Sequence, residues 1–442
     1  MRATPRRQRA FCLRAFNAAQ RISSAQLQDR GNLPENVGGT GQAREDGVRT
    51  SRPRGAGVAA AGLACAALLC GGDTAVARFD LPPERLRDLT PEWEAPRRAV
   101  LRGFHNLYNA RVVHVPGDRY PYRMWLFGWP AADNNPQPGD GPIGDAIYHA
   151  RSRDLDRWEA YGGEVGGHAH WVAEPRPDDW RPVLRAEKGT FDNAAAGDPA
   201  VVRRGGLYYM AYSAVRFEAH ADTTPQRLFL VNAVMGAVSR DGIHWRKSDG
   251  PLVRWHAEYA NRWDIAGGAN VNTPPPGYMG AYHRPALLWD CGRWRLWFDY
   301  YLPGTFVSMG YAECRGRFLE PAHWRVLRCD DRPLLRDWPN ASVVKVGRRY
   351  LSFSDAPNYP ETLGGDGRQI TVAESADGLD WRVLGHVRPE GRESSHVPEA
   401  VVLRRGRETW LIVFYAWKPE TRSRETWDYR YKEIRWMRRR VR

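Results

Sequence analysis

The 442-residue chain has few lysines and, beyond residue 70, no long apolar run. No later apolar run reaches the roughly 18 residues of a membrane-spanning helix, so the sequence predicts no permanent span. Long stretches with the 3.6-residue periodicity of an amphipathic helix are also missing, which argues against β/α folds. Only 5 of the 65 basic residues are Lys. So broad a preference for Arg weakens any argument that an individual Arg was selected to bind phosphate.

The formal net charge of +14 lies almost entirely at the two ends of the chain. Residues 1–54 contain 11 Arg and 4 acidic residues, and residues 430–442 contain 7 basic residues and one Glu. These two segments carry +7 and +6, which leaves +1 for the 375 residues between them. A basic surface across the domain is therefore not indicated, and the composition argues against nucleic acid as a partner.

Residues 49–77 have the three parts of a bacterial signal peptide. Three Arg between residues 49 and 54 precede an uncharged run from Gly57 to Cys70, and Ala75 and Ala77 suit a cleavage site after Ala77. The sequence therefore predicts a secreted or periplasmic protein. The preceding segment is unusually long, and Val48 stands where an alternative initiator would shorten it. We interpret residues 1–77 as an extension with an over-long start plus a signal peptide, and residues 78–442 as a single domain.

Cysteine is scarce in the predicted mature chain, which keeps only Cys291, Cys314 and Cys329. An odd number in an oxidising compartment predicts one disulfide and one buried thiol. No pair of these cysteines has a nearby His at metal-ligand spacing. We therefore predict no metal site and no cofactor, and no ligand cluster here requires Ca²⁺.

A short pattern containing Ser, Asp, Gly and Trp recurs along the chain. It reads SRDLDRW at 152–158, SRDGIHW at 239–245 and SADGLDW at 375–381, with a weaker version at 312–324. Asp-Gly favours a tight turn between two strands, and the Trp would begin the return strand and cover the hairpin. We therefore interpret Asp154, Asp241 and Asp377 as turn residues rather than metal ligands.

A second recurring unit precedes each of these hairpins and consists of an apolar strand, a short basic turn and an aromatic strand. The five copies begin at residues 111 (RVV), 200 (AVV), 286 (ALL), 342 (SVV) and 400 (AVV). Two hairpins for each repeat make four strands, which is one propeller blade. The sequence therefore predicts an all-β fold, a five-bladed β-propeller of four-stranded antiparallel blades. A degenerate last copy near Trp436 would close it.

The innermost strand of a propeller blade begins near the central axis, so residues just ahead of each apolar strand should converge on one funnel. These residues are Asn109, Asp198, Arg284, Asn340 and Glu399. The chain also contains 19 Trp, far above ordinary usage. Aromatic faces stack on the apolar faces of sugar rings, so a funnel lined with Trp would suit carbohydrate.

The repeats resemble those of the five-bladed glycosidases, the arabinanase, xylosidase, invertase and levansucrase superfamily. The segment 197–201 (GDPAV) is similar to the second-blade Asp-Pro motif of that superfamily. The resemblance implies a glycoside hydrolase with three inner-strand carboxylates, of which one donates a proton and another activates water or attacks the sugar. Only Asp198 is in place, because Asn109 and Arg284 stand where blades one and three would supply acids, and neither can act as one.

Candidate site residues follow from this comparison and from the positions of polar residues near the funnel. Asp299 and Asp355 end second strands on the pocket side, and His283 and His396 could exchange protons near pH 6.5. The predicted catalytic residues are Asp198, Glu399, Asp299 and His283. The predicted substrate-binding residues are Asn109, Arg284, Asp355, His396, Trp125 and Trp129, with Trp263 and Trp417 as further aromatic contacts.

Three functions stay open at this level. The first is hydrolysis of an oligo- or polysaccharide by a monomer, and the second is carbohydrate binding without cleavage. The third is phosphorolysis, because His283 and Arg284 together could clamp a phosphate, as in the related mannoside phosphorylases.

Overall fold

A computed structural model gives the fold of the chain. It describes residues 86–102, 104, 106–129, 146–219, 228–255, 263–264, 280–302, 307–356, 369–391, 395–417 and 433–441. Over these ranges the regular structure is β-strand apart from three 3₁₀ turns at Thr90–Glu92, Pro177–Asp179 and Pro321–His323. No helix in the described ranges is long and apolar enough to cross a membrane.

Five antiparallel sheets follow one another along the chain, and each is a blade. Blade 1 contains β3 (Asn106–His114), β4 (Tyr122–Trp129), β5 (Ala146–Ser152) and β6 (Trp158–Val165), extended by β7 (His168–Ala173) and β8 (Pro182–Arg185). Blade 2 contains β9 (Ala195–Arg204), β10 (Leu207–Ala219), β11 (Leu228–Ser239) and β12 (Arg246–Lys247), with β13 (Trp263–Asp264) against β11. Blade 3 contains β14 (Gly280–Asp290), β15 (Arg293–Tyr301), β16 (Ser308–Cys314) and β17 (Trp324–Arg328).

The last two blades recruit strands from the beginning of the domain. Blade 4 contains β18 (Ser342–Val346), β19 (Arg349–Ser354), β20 (Ile370–Ser375) and β21 (Trp381–Val387), with β1 (Arg87–Asp88) parallel to β21. Blade 5 contains β22 (Ser395–Arg405), β23 (Glu408–Trp417) and β24 (Glu433–Val441), and its outer strand is β2 (Leu101–Arg102). The predicted five-bladed propeller is confirmed.

The ring closes through the N-terminal strand β2. Leu101 pairs with Ile434 and Arg102 with Glu433, so the third strand of blade 5 is joined by a fourth from the other end of the domain. The innermost strands β3, β9, β14, β18 and β22 contact one another in cyclic order. Trp436 therefore lies in a regular third strand, and the start of the domain, not a last hairpin, completes the blade.

The hydrophobic core is divided into five clusters, each between two neighbouring blades. The cluster between blades 1 and 2 contains Trp125 and Val201, and the one between blades 5 and 1 contains Leu107 and Phe414. Face-to-face packing of twisted sheets buries both apolar faces of a blade, which explains why these strands read as nearly continuous apolar runs.

Trp125 belongs to this core, and its prediction as a substrate contact is wrong. The side chain is fully buried, stacks on His149 with ring centroids 4.5 Å apart, and donates from Nε1 to the Gly242 carbonyl at 2.9 Å. A sequence count of aromatics could not separate blade core from funnel lining, because both use Trp at strand positions.

The recurring hairpins have the predicted turn chemistry. The Asp241 carboxylate accepts the backbone N–H groups of Ile243 and His244, and the Ser239 hydroxyl accepts that of Gly242. Asp154 and Asp377 make equivalent bonds in blades 1 and 4. The described residues contain no cluster of acidic, His or Cys side chains suited to a metal ion.

The expected disulfide is not formed. Cys291, Cys314 and Cys329 are all free thiols, with Cys291 exposed, Cys314 buried and Cys329 half-buried. Cys291 lies in a turn, Cys314 in β16 and Cys329 in the segment after β17. Their positions follow from strand pairing and not from a cross-link.

We predict that the approach of blades 1 and 2 is sensitive to a single methyl group at Gly197. A Cβ there would lie 2.2 Å from Cε2 of Phe127, so Gly197→Ala should lower the free energy of unfolding by about 1–3 kcal/mol. The matched control is Gly250→Ala, where a Cβ meets nothing within 4 Å; its effect should stay within about 0.5 kcal/mol. Denaturant unfolding measures both, and equal stabilities would contradict the packing argument.

Candidate functional site

One residue at the start of each innermost strand has a left-handed backbone. These residues are Asn109 (φ +53°), Asp198 (+46°), Arg284 (+47°), Asn340 (+53°) and Val397 (+46°). In blades 1, 2, 3 and 5 the residue lies in a β-bulge, where the ladder with the second strand skips two residues. We call these five residues the mouth ring.

The mouth ring corrects the fifth position of the predicted funnel, which is Val397 and not Glu399. Glu399 pairs with Phe414 just past the bulge, as Ala200 pairs with Ala211 in blade 2. The letters AVV at 400 repeat those at 200, but blade 5 is shifted by one residue relative to that match. Position 397 has an apolar side chain, so the ring has one acid, one cation and two amides.

Asp198 is the acid of the mouth ring and is 6% exposed. Its carboxyl is hydrogen-bonded to the Ser213 hydroxyl on the second strand of its own blade and interacts with Arg284 of the next blade. Burial raises the pKa of Asp198, against the opposing effects of Arg284 and Ser213. Asp tolerates the left-handed conformation, and this conformation changes the direction of β9 at the bulge.

Arg284 links Asp198 to a second acid, Asp299. Its Nη1 lies 3.5 Å from Oδ2 of Asp299, and its side chain is 27% exposed, whereas Asp299 is fully buried. Burial raises the pKa of Asp299 to about 8, because loss of hydration outweighs the attraction of Arg284 and the N–H of Asn340. Within the described residues, Oδ1 of Asp299 is a buried atom without a hydrogen-bond partner. Burial therefore favours the neutral form of Asp299.

A second-strand side chain of one blade accepts the backbone N–H of the mouth-ring residue in the next blade. The Ser213 hydroxyl accepts from Arg284 at 2.7 Å, and Oδ2 of Asp299 accepts from Asn340 at 2.8 Å. Oδ2 of Asp355 accepts from Val397 at 3.2 Å. We call these contacts the blade bridges. They explain why Asp299 and Asp355, predicted from their positions at second-strand ends, lie beside the mouth ring.

Asp355 is bound on both oxygens. Oδ1 accepts from Nδ2 of Asn340 at 2.7 Å, and Oδ2 lies 3.6 Å from Nδ1 of His396 as well as near the Val397 amide. Both Asp355 and His396 are buried. Each is thus held between blades 4 and 5.

His283 does not have the properties of a proton donor. Burial lowers its pKa to about 3, and the positive charge of Arg284 acts in the same direction. The ring stacks on Tyr301 with centroids 5.6 Å apart, and Nδ1 contacts the carbonyl oxygen of Ala281. Burial and the charge of Arg284 both favour the neutral imidazole, and the catalytic role of His283 stays a prediction.

Glu399 lies in a second layer, below the mouth ring. Its Oε2 is 3.3 Å from Nη1 of Arg111 and accepts from the Ser342 hydroxyl at 2.9 Å. Arg111 also donates from Nε to the carbonyl of Val201 at 3.2 Å, so one guanidinium joins blades 1, 2 and 5. Burial raises the pKa of Glu399 to about 7 despite Arg111. Glu399 thus has a structural ion pair, in the protein interior and not at the surface.

The other predicted positions divide into those that the structure describes and those that it does not. Asn109 belongs to the mouth ring, and its Oδ1 is buried without a partner among the described residues. Trp417 ends β23 and lies under the Arg435 guanidinium, 3.5 Å from the ring centroid. Trp129 and Trp263 lie in β4 and β13, but their side chains fall outside the described part.

Four residues of the two layers escaped the sequence analysis: Arg111, Ser213, Ser342 and Val397. Arg111 is the charged residue among the five that begin the apolar units (RVV, AVV, ALL, SVV and AVV). A charge at that position could have indicated a buried ion pair. Ser213 and Ser342 carry no signal beyond their repeat positions. Val397 could be placed only by recognising that Val-Pro at 397 matches Asp-Pro at 198 and Arg-Pro at 284.

No protein-family model and no curated protein matches the chain. Solved structures do match. A structure of BT0996, described as an RGII complex, aligns with TM-score 0.50 and 14% identity, over 79% of this protein and 91% of that one. Zg3597, a family 117 glycoside hydrolase of Zobellia galactanivorans, aligns at 0.46 and 13%, over 78% and 89%. The Cellvibrio cellulosa α-L-arabinanase, complexed with arabinohexaose, aligns at 0.40 and 12%, over 75% and 91%. At these identities the comparison concerns fold, and this protein has the five-bladed architecture that its repeats predicted.

Proposed function

We propose that the protein is a carbohydrate-active enzyme, a glycoside hydrolase that acts at the mouth ring. One observation carries the proposal: two buried carboxyl groups, Asp198 and Asp299, interact with the same guanidinium, that of Arg284, at the mouth ring, and burial raises the pKa of both. Perturbed acids gathered at one end of a propeller axis are typical of an active site. The resemblance of the repeats to five-bladed glycosidases supports the same assignment.

Hydrolysis of a glycosidic bond needs a proton donor and a second carboxyl group. In our proposal Asp299, neutral below pH about 8, protonates the leaving-group oxygen as the bond from that oxygen to the anomeric carbon breaks. Asp198, as the carboxylate, takes a proton from water, and the oxygen of that water bonds to the anomeric carbon as the hydroxyl of the new reducing end. Arg284 holds both acids and stabilises the negative charge that remains on Asp299 after proton transfer.

The charge balance disfavours phosphorolysis. Burial alone would lower the pKa of Arg284, but Asp299 and Asp198 outweigh it and raise the pKa above its usual value. A phosphate clamp requires uncompensated positive charge; here the carboxylate of Asp198 balances Arg284, and burial favours the neutral form of the neighbouring His283. Arg284 therefore serves the two acids better than it would serve an anionic substrate.

Carbohydrate binding without cleavage is the second candidate. The observation in its favour is the mouth ring itself, where Asn109, Asn340 and Val397 have no titratable group and Asp198 is the sole acid. Amides and a single carboxylate can hydrogen-bond sugar hydroxyls without transferring protons. A measurement of glycoside cleavage distinguishes the two functions, because a binding protein would hold the sugar without cleaving it.

We expect cleavage of at least one aryl glycoside or oligosaccharide in a broad screen, and a loss of roughly 100-fold or more in kcat/KM for Asp198→Asn. The matched control is Asp249→Asn at an exposed position, which should leave the rate unchanged. Binding on a glycan array without any turnover above the Asp198→Asn level would instead support the binding function.

The pH dependence of the reaction should reveal the proton on Asp299. Because this acid works only when protonated, kcat/KM should fall on the alkaline side with a midpoint near pH 8. Asp299→Asn should abolish that limb and cost roughly 100-fold or more on substrates with poor leaving groups, but far less on dinitrophenyl glycosides, which need no proton. A wild-type profile that stays flat from pH 7 to 9.5 would refute this role.

We also propose that the enzyme is exported, on the strength of the signal-like segment at residues 49–77. Expression of the full chain in a bacterium with signal peptidase should yield a periplasmic or secreted protein whose first residue is Arg78. N-terminal sequencing tests this, with Ala77→Leu as a variant that should block processing. An intact N-terminus on cytoplasmic protein would contradict export.

A further inference from the structure

A continuous series of hydrogen bonds lies behind Asp299 and crosses blades 3, 4 and 5. Asn340 donates from its backbone N–H to Oδ2 of Asp299 at 2.8 Å and from Nδ2 to Oδ1 of Asp355 at 2.7 Å. The other oxygen of Asp355 accepts from the Val397 amide at 3.2 Å. All of these groups are buried, so water does not compete for the bonds.

The left-handed backbone of Asn340 is what lets one residue bind two acids. At φ +53° its N–H faces the second strand of blade 3 while its Nδ2 donates to the second strand of its own blade. Asn adopts this conformation more readily than most residues. An Asp here would bring a third carboxylate against Asp299 and Asp355, whereas an amide is a donor to both.

This hydrogen-bond series determines which oxygen of Asp299 carries its proton. A neutral carboxyl has one hydroxyl oxygen and one carbonyl oxygen. Oδ2 accepts the Asn340 N–H and faces Arg284, so it is the carbonyl oxygen. The hydroxyl hydrogen then belongs on Oδ1, the atom that makes no hydrogen bond within the described residues.

The charged and titratable groups around Asp299 and its partner Asp355 come from blades 2, 3, 4 and 5. Asp198 approaches from blade 2 and Asp355 from blade 4, and both negative charges favour the neutral form of Asp299. Arg284, from its own blade, opposes them. His283 pairs across the strands with Asp299 but is itself neutral, and His396 faces Asp355 from blade 5. Asp355 is the one acid of this set that also holds Asn340.

We propose that Asn340 and Asp355 are positioning residues that hold Asp299 as a neutral acid with its proton on Oδ1. The proposal rests on the proposed function for its catalytic consequence, but not for its structural content. Neither residue contacts the reacting atoms in this assignment. Asp355 acts through its charge and through Asn340, and Asn340 acts through its two donated hydrogen bonds.

The test follows the Asp299 carboxyl directly, by ¹³C NMR titration of protein labelled at Asp, with Asp299→Asn to assign the signal. The wild-type midpoint should lie near pH 8. Asp355→Asn removes a negative charge and should lower that midpoint by one unit or more. Asn340→Gly keeps φ and the backbone donor but deletes the hydrogen bond from Nδ2, so it should lower kcat about tenfold with KM within twofold.

The control for the Gly variant is Glu174→Gly, an exposed residue of blade 1 that is also left-handed, with φ +50°. It should change neither the titration nor the rate. Circular dichroism tests whether each variant folds. This check matters because the side-chain amide in Asp355→Asn would place a donor against the Val397 N–H. Asn340→Gly introduces no such clash.

The outcomes separate the two levels of inference. A midpoint in Asp355→Asn within 0.2 units of wild type, or a wild-type Asp299 that titrates below pH 5, overturns the positioning assignment. If the midpoint falls as expected and yet no glycoside is cleaved, the positioning holds and the hydrolase function fails. If glycosides are cleaved and Asn340→Gly changes only KM, Asn340 binds substrate and does not position the acid.

Discussion

The structure depends on a hydrogen bond between neighbouring blades at the mouth of the axis. The inner strands of blades 1, 2, 3 and 5 bulge there. In blades 3, 4 and 5 the left-handed residue donates its N–H to the preceding blade, where Ser213, Asp299 or Asp355 accepts it. A bulge leaves a backbone donor outside the ladder, and a buried donor without a partner is costly. The blade bridges satisfy these donors and connect blades 2, 3, 4 and 5.

The same bridges bring acids into the protein interior. A carboxylate that accepts a backbone N–H at the centre of a propeller is removed from water, and a single bond does not replace its hydration. The pKa of Asp299 is consequently raised, which favours its neutral form. Architecture and proton chemistry are therefore linked, because the group that joins blade 3 to blade 4 is also the group that we assign as the acid.

Charged residues form two layers along the propeller axis, the mouth ring and the Arg111–Glu399 pair below it. In the mouth ring, Arg284 is shared by Asp198 and Asp299 and remains partly open to solvent. One layer below, Arg111 and Glu399 form a buried pair, which Ser342 completes. A buried ion pair stabilises the folded protein little more than apolar side chains of similar volume would. Loss of one partner, however, leaves an uncompensated buried charge. The lower layer therefore joins blades 1, 2 and 5 through the guanidinium of Arg111.

The repeats in the sequence by themselves determined the blade number, the hairpin turns and the location of Asp198, because period-two strands and Asp-Gly turns are local features that adjacent residues encode. Register was decided only by the tertiary structure. Glu399 and Val397 differ by two positions, and a bulge between them decides which one reaches the mouth. Burial was likewise decided by neighbouring blades: Trp125 became core, and His283 lost its basicity, because sheets distant in sequence cover them. The local sequence pattern specifies a strand, whereas the packing of neighbouring blades in the closed ring determines the environment of its side chains.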